Sequence, residues 1–169
     1  MIIVVTGVMG AGKTTVGEAL AERLGWRFLD ADDFHSTESW AKLARGEPLG
    51  DADRLPWLAR LREEMARLLA SDESAVLACS ALKQTYRDAL VPPGARTGDI
   101  RFIFLDADPA LTAKRLSRRA GHRASATLLH SQIEALEVPR DALCLDNRAP
   151  VSQLVQAAVD AWHLDQPLR

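Results

Sequence analysis

Short apolar runs alternate with longer amphipathic stretches along the 169-residue chain. The apolar runs are too short for helices and rich in aliphatic and β-branched residues, which predicts strands buried on both faces of a sheet. The stretches between them repeat apolar residues every three or four positions, which predicts amphipathic helices. The predicted strands are Ile2–Thr6, Trp26–Asp30, Ala75–Ser80, Ile100–Asp106 and Ala142–Asp146.

Helix boundaries are marked by glycine, proline and aspartate. The predicted helices are Lys13–Leu24, Thr37–Arg45, Asp51–Leu69, Ala81–Leu90, one opening at Asp108-Pro109, Ala126–Glu137 and Val151–His163. Asp51 is the expected N-cap of the longest helix, which carries Pro56 near its start. Its expected buried side consists of Leu55, Leu58, Leu61, Met65, Leu68 and Leu69.

Strands that alternate with helices predict a parallel sheet covered on both faces, because right-handed crossovers place the helices there. The expected fold class is therefore α/β, a three-layer α/β/α sandwich with a five-stranded parallel sheet. The length is typical of a single domain, which we expect to span residues 1–169. In such sheets ligands bind at the carboxyl ends of the strands.

The composition of the chain argues against some classes of binding partner. The formal net charge is −2 with no long run of one sign, which argues against nucleic-acid binding. No apolar run approaches 18 residues and no leader is evident, so we expect no membrane partner and a cytoplasmic protein. The two cysteines, Cys79 and Cys144, lie in apolar stretches and are expected to be buried, reduced thiols.

The segment Gly7–Thr15 follows the first strand and opens the first helix, with the Walker A spacing of a phosphate-binding loop. Its glycines let successive backbone N–H groups point inward around a polyphosphate. Lys13 is expected to reach the β- and γ-phosphates, Thr14 to ligate Mg²⁺, and Thr15 to face the α-phosphate or cap the turn. The remaining expected nucleotide-binding residues are Gly7, Gly10, Ala11 and Gly12. The expected cofactors are ATP and Mg²⁺.

Carboxylates follow the second strand, and arginines cluster late in the chain. No guanine-reading element of a GTPase is found. Acids at a strand end facing a phosphate loop fit a small-molecule kinase, with Asp30 near the metal and Asp32 at the acceptor hydroxyl. We predict a lid at about residues 118–127, with Arg115 or Arg119 covering the transferring phosphate. The alternatives are loop or cap roles for the acids and a solvated helix face for the arginines.

Cations near two strand ends suggest an acceptor that carries a carboxylate. Arg54 comes at the start of the long helix and Lys83 follows the third strand. Arginine binds a carboxylate in bidentate fashion and lysine binds it as a point charge. His35 either caps a turn or forms a hydrogen bond with the substrate.

Several stretches together resemble one family, the phosphate-loop gluconokinases, which are related to shikimate and adenylate kinases. Walker A is widespread, whereas the elements Leu29–His35, Asp53–Trp57 and Cys79–Lys83 are much more specific to gluconokinases. The matching stretches are Gly7–Gly17, Trp26–His35, Pro48–Trp57, Cys79–Asp88, Arg115–His122 and Leu128–Glu137. The resemblance implies transfer of the ATP γ-phosphoryl group to the C6 hydroxyl of D-gluconate, giving 6-phospho-D-gluconate, by a homodimer.

The resemblance also implies site residues. Asp32, His35, Arg54 and Lys83 would line the gluconate pocket, and Arg119 would be the lid arginine, acting with Lys13 and Asp32 in catalysis. One departure is the segment Arg123-Ala124-Ser125, where the family usually has an aromatic and then an apolar residue. This altered segment bears on how the lid closes and on how fast the enzyme turns over.

Two alternatives to the gluconokinase interpretation remain. A shikimate kinase is the nearest rival, but that family has a Gly-Gly-Gly element after the third strand, where this chain has Cys79-Ser80-Ala81. A nucleotide-binding regulatory module that has lost catalysis is favoured only by the altered lid.

Overall fold

The computed structural model describes residues 1–117 and 122–165 of the chain. The strands are β1 (Ile2–Thr6), β2 (Arg27–Asp30), β3 (Ala75–Ala78), β4 (Ile100–Asp106) and β5 (Leu143–Asp146). The helices are α1 (Lys13–Leu24), α2 (Thr37–Ala44), α3 (Asp51–Ala70), α4 (Gln84–Leu90), α5 (Pro109–Ser117), α6 (His122–Glu134) and α7 (Val151–Trp162). A short 3₁₀ helix, Ala31–Phe34, follows β2.

The five strands form one sheet in the order β2-β3-β1-β4-β5, and every neighbouring pair is parallel. Val4 of β1 stands beside Leu77 of β3 on one side and Phe102 of β4 on the other. The predicted five-stranded parallel sheet is confirmed. The loop after β1 consequently opens at the centre of the carboxyl edge, where α/β sheets bind ligands.

Alternate residues of β1 belong to two separate apolar cores. Ile3 and Val5 pack into a core with residues of α1 and α7, while Ile2 and Val4 pack with residues of α3 and α4. Helices therefore cover both faces of the sheet, and the predicted three-layer arrangement is confirmed. The approach of α1 to β2 is close, because a Cβ on Gly17 would lie 2.8 Å from Cε2 of Phe28.

Three details at the N-terminal ends of helices differ from the sequence predictions. Leu55 is 57% exposed rather than buried, because it lies near the start of α3, before the helix joins the core at Trp57. Gly50, not Asp51, is the N-cap residue, and its N–H is bound by the Asp53 carboxylate instead. Helix α4 starts three residues later than predicted, since Ala81 has a φ of +38° that a helix cannot continue.

Other differences lie near the C-terminal end of the chain. Helix α6 begins at His122 and ends at Glu134, whereas residues 126–137 were predicted to be helical. Cys144 is exposed and the expectation of burial was wrong, while Cys79 is buried as predicted. Among the described helices, none is long and apolar enough to cross a membrane.

Candidate active site

The segment after β1 folds into a tight loop that ends at α1. Gly7, Gly10 and Gly12 have φ values of +143°, +77° and +105°, and Gly12 directly precedes the helix. Side chains are strained at such angles, so these positions need glycine. At Gly7 a Cβ would also lie 3.0 Å from the carbonyl oxygen of Leu105. The geometry is that of a backbone nest at a helix N-terminus, which binds phosphate groups.

Hydrogen bonds from Lys13 within the loop, from Arg115 of α5 and from Asn147 stabilise the phosphate-binding loop. The ammonium group of Lys13 donates to the carbonyl of Val8 across the loop, at 3.2 Å. The carbonyl of Ala11 accepts from Nη1 of Arg115 and from Nδ2 of the buried Asn147, each at 3.3 Å. Arg115 thus contacts the loop backbone directly. It is one of the two arginines predicted to cover the transferring phosphate.

Thr14 and Asp30 form the candidate metal site. The Thr14 hydroxyl donates to Oδ2 of Asp30 at 3.1 Å, and Oδ1 of Asp30 accepts from the backbone N–H of Asp32 at 3.0 Å. No cluster of three or more His, Cys, Asp and Glu side chains suited to a metal occurs in residues 1–117 and 122–165. A hydroxyl and one carboxylate nevertheless fit Mg²⁺, which is usually held by one or two protein oxygens, phosphates and water.

Asp32 stands next to this pair in the 3₁₀ helix. Partial burial, and then repulsion from Asp30, raises the pKa of its carboxyl, while Lys13 acts in the opposite direction. Because the side chain is also 67% exposed, solvent screens these effects. The carboxylate is open to a ligand and holds a proton more readily than an ordinary aspartate.

His35 is packed between two tryptophans. Its ring stacks on Trp57 with centroids 4.5 Å apart and meets Trp40 edge-on at 6.0 Å. The side chain is 6% exposed, and burial, followed by repulsion from Arg60 and Arg54, lowers its pKa. Nδ1 of His35 is buried without a hydrogen-bond partner in the described part of the chain. A neutral imidazole with an unsatisfied nitrogen suits a hydrogen bond to a polar ligand.

Arg54 and Lys83 meet around Tyr86. Nη1 of Arg54 donates to the Tyr86 hydroxyl at 3.3 Å, and that hydroxyl donates in a short hydrogen bond to Oδ1 of Asp51. Nζ of Lys83 lies 3.3 Å from the same Asp51 oxygen and 5.2 Å from the centre of the Tyr86 ring. Arg54 lines the candidate cavity and Lys83 does not. Lys83 therefore belongs to the network that supports Arg54.

A cavity of about 310 Å³ joins these groups at the carboxyl edge of the sheet. Its phosphate-loop wall is formed by Gly10, Gly12, Lys13, Thr14 and Thr15. Its opposite wall, called the acceptor wall here, is formed by Asp32, His35, Trp40, Arg54, Trp57 and Ser80. Asp30 lies between the two walls, so one cavity contains a phosphate-binding loop, carboxylates, a histidine and an arginine.

Trp40, Trp57 and Gln132 line the cavity, although no role was predicted for them from the sequence. Trp57 is 3% exposed and donates its indole N–H to the carbonyl of Ala31 at 2.7 Å. Trp40 lies at the rim, and Gln132 of α6 accepts a hydrogen bond from the N–H of Met9 in the loop. Trp57 and Gln132 occur within the stretches that carried the family resemblance, which was the available signal. The predicted lid arginine, Arg119, lies outside the described residues.

Comparison with known proteins agrees with this geometry. The shikimate kinase family profile matches residues 9–152, well over half of the chain. A gluconokinase from Gluconobacter oxydans is 45% identical over 142 residues, covering 82% of this chain and 76% of that protein. A probable gluconokinase from Xenopus tropicalis is 44% identical over 151 residues, covering 82% and 80%. The chain belongs to the gluconokinase family. A crystal structure of a gluconokinase from Sinorhizobium meliloti, 40% identical, superposes with a TM-score of 0.80 and covers 96% of this chain and 93% of that one.

Membership of the gluconokinase family explains how the two cavity walls differ. The phosphate-loop wall uses the Walker A element, which many kinases share. The acceptor wall collects residues from stretches on which the resemblance to gluconokinases rests, those containing His35, Arg54, Trp57 and Ser80. These stretches are far apart in the chain and converge on one cavity, so the family resemblance is concentrated where an acceptor would bind.

Proposed function

We propose that this protein is an ATP-dependent gluconokinase that phosphorylates the C6 hydroxyl of D-gluconate to give 6-phospho-D-gluconate. The observation that carries the proposal is the single cavity with a phosphate loop on one wall and Asp32, His35 and Arg54 on the other. The names of relatives that are 44–45% identical support gluconate as the acceptor.

ATP binds with its phosphates in the loop. The loop residues Gly7, Gly10, Ala11 and Gly12 surround the polyphosphate, and Lys13 neutralises the β- and γ-phosphates. Thr15 is placed at the α-phosphate. Thr14 and Asp30 hold Mg²⁺, which when bound neutralises the charge that develops on the phosphate oxygens. Arg115, fixed to the Ala11 carbonyl, keeps the loop closed around the nucleotide.

Gluconate binds between Arg54 and Asp32. The Arg54 guanidinium, held by Tyr86, pairs with the sugar-acid carboxylate, and Lys83 holds Asp51, the acceptor of the Tyr86 hydroxyl. The neutral imidazole of His35 uses its unsatisfied Nδ1 for a substrate hydroxyl. A carboxylate at one end and a hydroxyl at the other then orient the acceptor chain across the cavity.

Transfer requires Asp32 beside the acceptor hydroxyl. The hydroxyl oxygen forms a bond to the γ-phosphorus while the bond to the β-phosphate oxygen breaks, and the hydroxyl proton passes to Asp32. The raised pKa of Asp32 favours this proton transfer. Most of the rate enhancement comes from positioning and charge stabilisation, because phosphoryl transfer passes through a loose transition state.

The remaining parts of the proposal concern the whole protein. We place a lid at about residues 118–127, with Arg119 covering the transferring phosphate, within one kinase domain spanning residues 1–169. The protein acts in the cytoplasm as a homodimer, and the homodimer rests on the family resemblance alone.

A substrate panel with a matched pair of variants tests the function. ADP release is measured with Mg²⁺-ATP and gluconate, shikimate, other sugar acids or nucleosides, and turnover is expected with gluconate. Asp32→Ala is expected to lower kcat at least about 100-fold with ATP affinity unchanged, the usual size of an acid–base contribution. Asp33→Ala is the control, since Asp33 does not line the cavity.

Three other outcomes would each contradict one part of the proposed function. Transfer that survives in Asp32→Ala would remove Asp32 from its role. Turnover with shikimate instead of gluconate would favour the rival kinase, and ATP binding without turnover on any acceptor would favour a regulatory module.

A further inference from the structure

Gln132 makes a contact that the proposed mechanism does not use. It lies in α6, which begins three residues after the predicted lid arginine Arg119, and it lines the cavity. Its Oε1 accepts a hydrogen bond from the backbone N–H of Met9 at 2.7 Å, across 123 positions of sequence. Met9 belongs to the phosphate loop, so α6 and the loop are tied together at the cavity.

The hydrogen bond fixes one particular peptide group. The Val8–Met9 peptide presents its N–H to Gln132 and its C=O to the ammonium group of Lys13, at 3.2 Å. The same Val8 carbonyl also accepts from the N–H of Ala11 at 3.2 Å. Rotation of this peptide about its axis would break all three contacts together. The side-chain carbonyl of Gln132 therefore holds the peptide group whose carbonyl accepts from Lys13.

Helix α6 is itself anchored near the acceptor wall. Just beyond its C-terminal end, the carboxylate of Glu137 accepts from the N–H of Gln84 at 2.7 Å, and its N–H donates to the carbonyl of Leu82 at 2.9 Å. The buried Arg87 donates to the Glu137 carbonyl at 2.9 Å and to the carbonyls of Ala81 and Leu82 at 3.0 Å. The end of α6 is thus fixed to the segment that follows Ser80.

We propose that Gln132 is a positioning residue for phosphoryl transfer: by holding the Val8–Met9 peptide, it sets Lys13 and the phosphate loop relative to the acceptor wall. The loop is connected to the acceptor side through Gln132, α6 and Glu137. The catalytic part of this inference rests on the proposed gluconokinase activity, while the contact with the loop is independent of it.

The test compares Gln132→Met, which cannot accept the hydrogen bond, with Gln132→Asn, which keeps the amide but is one methylene shorter. Ser131→Ala is the matched control, because Ser131 lines the same cavity and donates only within the helix, to Leu128. Both Gln132 variants are expected to lower kcat/KM for ATP about tenfold, with KM for gluconate within twofold of the wild type. A tenfold effect corresponds to about 1.4 kcal/mol, which is within the net contribution of one hydrogen bond.

A second readout does not depend on turnover. The amide proton of Met9, followed by ¹⁵N NMR in the nucleotide-free protein, is expected to shift upfield in both Gln132 variants and to stay unchanged in Ser131→Ala. An unchanged Met9 resonance would overturn the proposed contact. An equal rise of KM for ATP and gluconate, together with a lower melting temperature than Ser131→Ala, would overturn the positioning role in favour of a general structural one.

The two proposals can fail separately. If the wild-type protein does not phosphorylate gluconate, the proposed function fails, while the Met9 resonance and the ATP affinity still decide whether Gln132 holds the loop. If the wild-type protein is active and the Gln132 variants equal it, the inference about Gln132 fails alone.

Discussion

Replacing Trp57 with phenylalanine should destabilise the protein and weaken gluconate binding. The indole N–H of Trp57 donates to the Ala31 carbonyl at 2.7 Å, and both residues are buried. Phenylalanine removes the indole donor from that carbonyl, and the loss of one hydrogen bond costs about 0.5–1.5 kcal/mol. The smaller ring also leaves a cavity worth roughly 1 kcal/mol. We therefore expect the free energy of unfolding to fall by about 1.5–2.5 kcal/mol.

The effect should extend to the site, because Ala31 begins the 3₁₀ helix that carries Asp32, and His35 stacks on the Trp57 ring. We expect KM for gluconate to rise several-fold while KM for ATP stays within twofold. The assays are urea unfolding and initial-rate kinetics with each substrate varied. A loss of 1 kcal/mol lowers the melting temperature of a chain this size by about 2–4 °C, which gives an independent check.

Trp40→Phe is the matched control. Trp40 also contacts His35 and lines the cavity, but it is 47% exposed. No indole hydrogen bond is seen for it in the described part of the chain, so this substitution should change unfolding by less than about 0.5 kcal/mol. Equal losses for the two variants would refute the role of the Ala31 hydrogen bond. A stability loss at Trp57 with unchanged KM for gluconate would refute its link to the acceptor wall.

Two further predictions concern buried titratable side chains, His35 and Arg87. The pKa of His35 is lowered from 6.5 by burial, so its contribution to stability is complete above pH 6.5 and is lost as pH falls through the lowered value. The stability difference between wild type and His35→Gln, from urea unfolding between pH 5 and 8, should therefore shrink on acidification, and a difference independent of pH would contradict this. Arg87→Met removes the guanidinium donor from the carbonyls of Ala81, Leu82 and Glu137, so we expect the free energy of unfolding measured in urea to fall by about 1–3 kcal/mol. The exposed Arg148, paired with Asp146, provides the control variant Arg148→Met, and an equal loss there would contradict the assignment.

The fold was predictable because its signals are local. Each strand is a short apolar run, and Gly25 and Asp108 mark helix ends that the structure confirms. The errors are also local in origin. The strained backbone at Ala81 delays α4 although its side chains suit a helix, and Leu55 fits the helical period but precedes the point where α3 meets the core. Periodicity gives the direction of a side chain but not what lies opposite it.

The site was predictable only as far as single stretches carry it. The pairing of Thr14 with Asp30 could be anticipated from two strand ends, because parallel strands bring their carboxyl ends together. The contact of Gln132 with Met9 could not, because nothing in either stretch specifies a partner more than 100 positions away. The same holds for Lys83, whose distance from the cavity follows from the position of Asp51 and Tyr86.

The two walls of the cavity place different demands on the sequence. The phosphate-loop wall works through backbone N–H groups, so it needs glycine at a few angles and tolerates Met9 and Ala11. The acceptor wall works through side chains from the 3₁₀ helix, α2, α3 and the end of β3, so each substitution there changes what the wall can recognise. Since Gln132 and Glu137 join the walls through α6, an acceptor wall could change its substrate while the loop and its anchor stay as they are. The shikimate kinase family profile spans residues 9–152 of a chain whose relatives at 44–45% identity are named gluconokinases, as expected if the acceptor wall varies more than the loop.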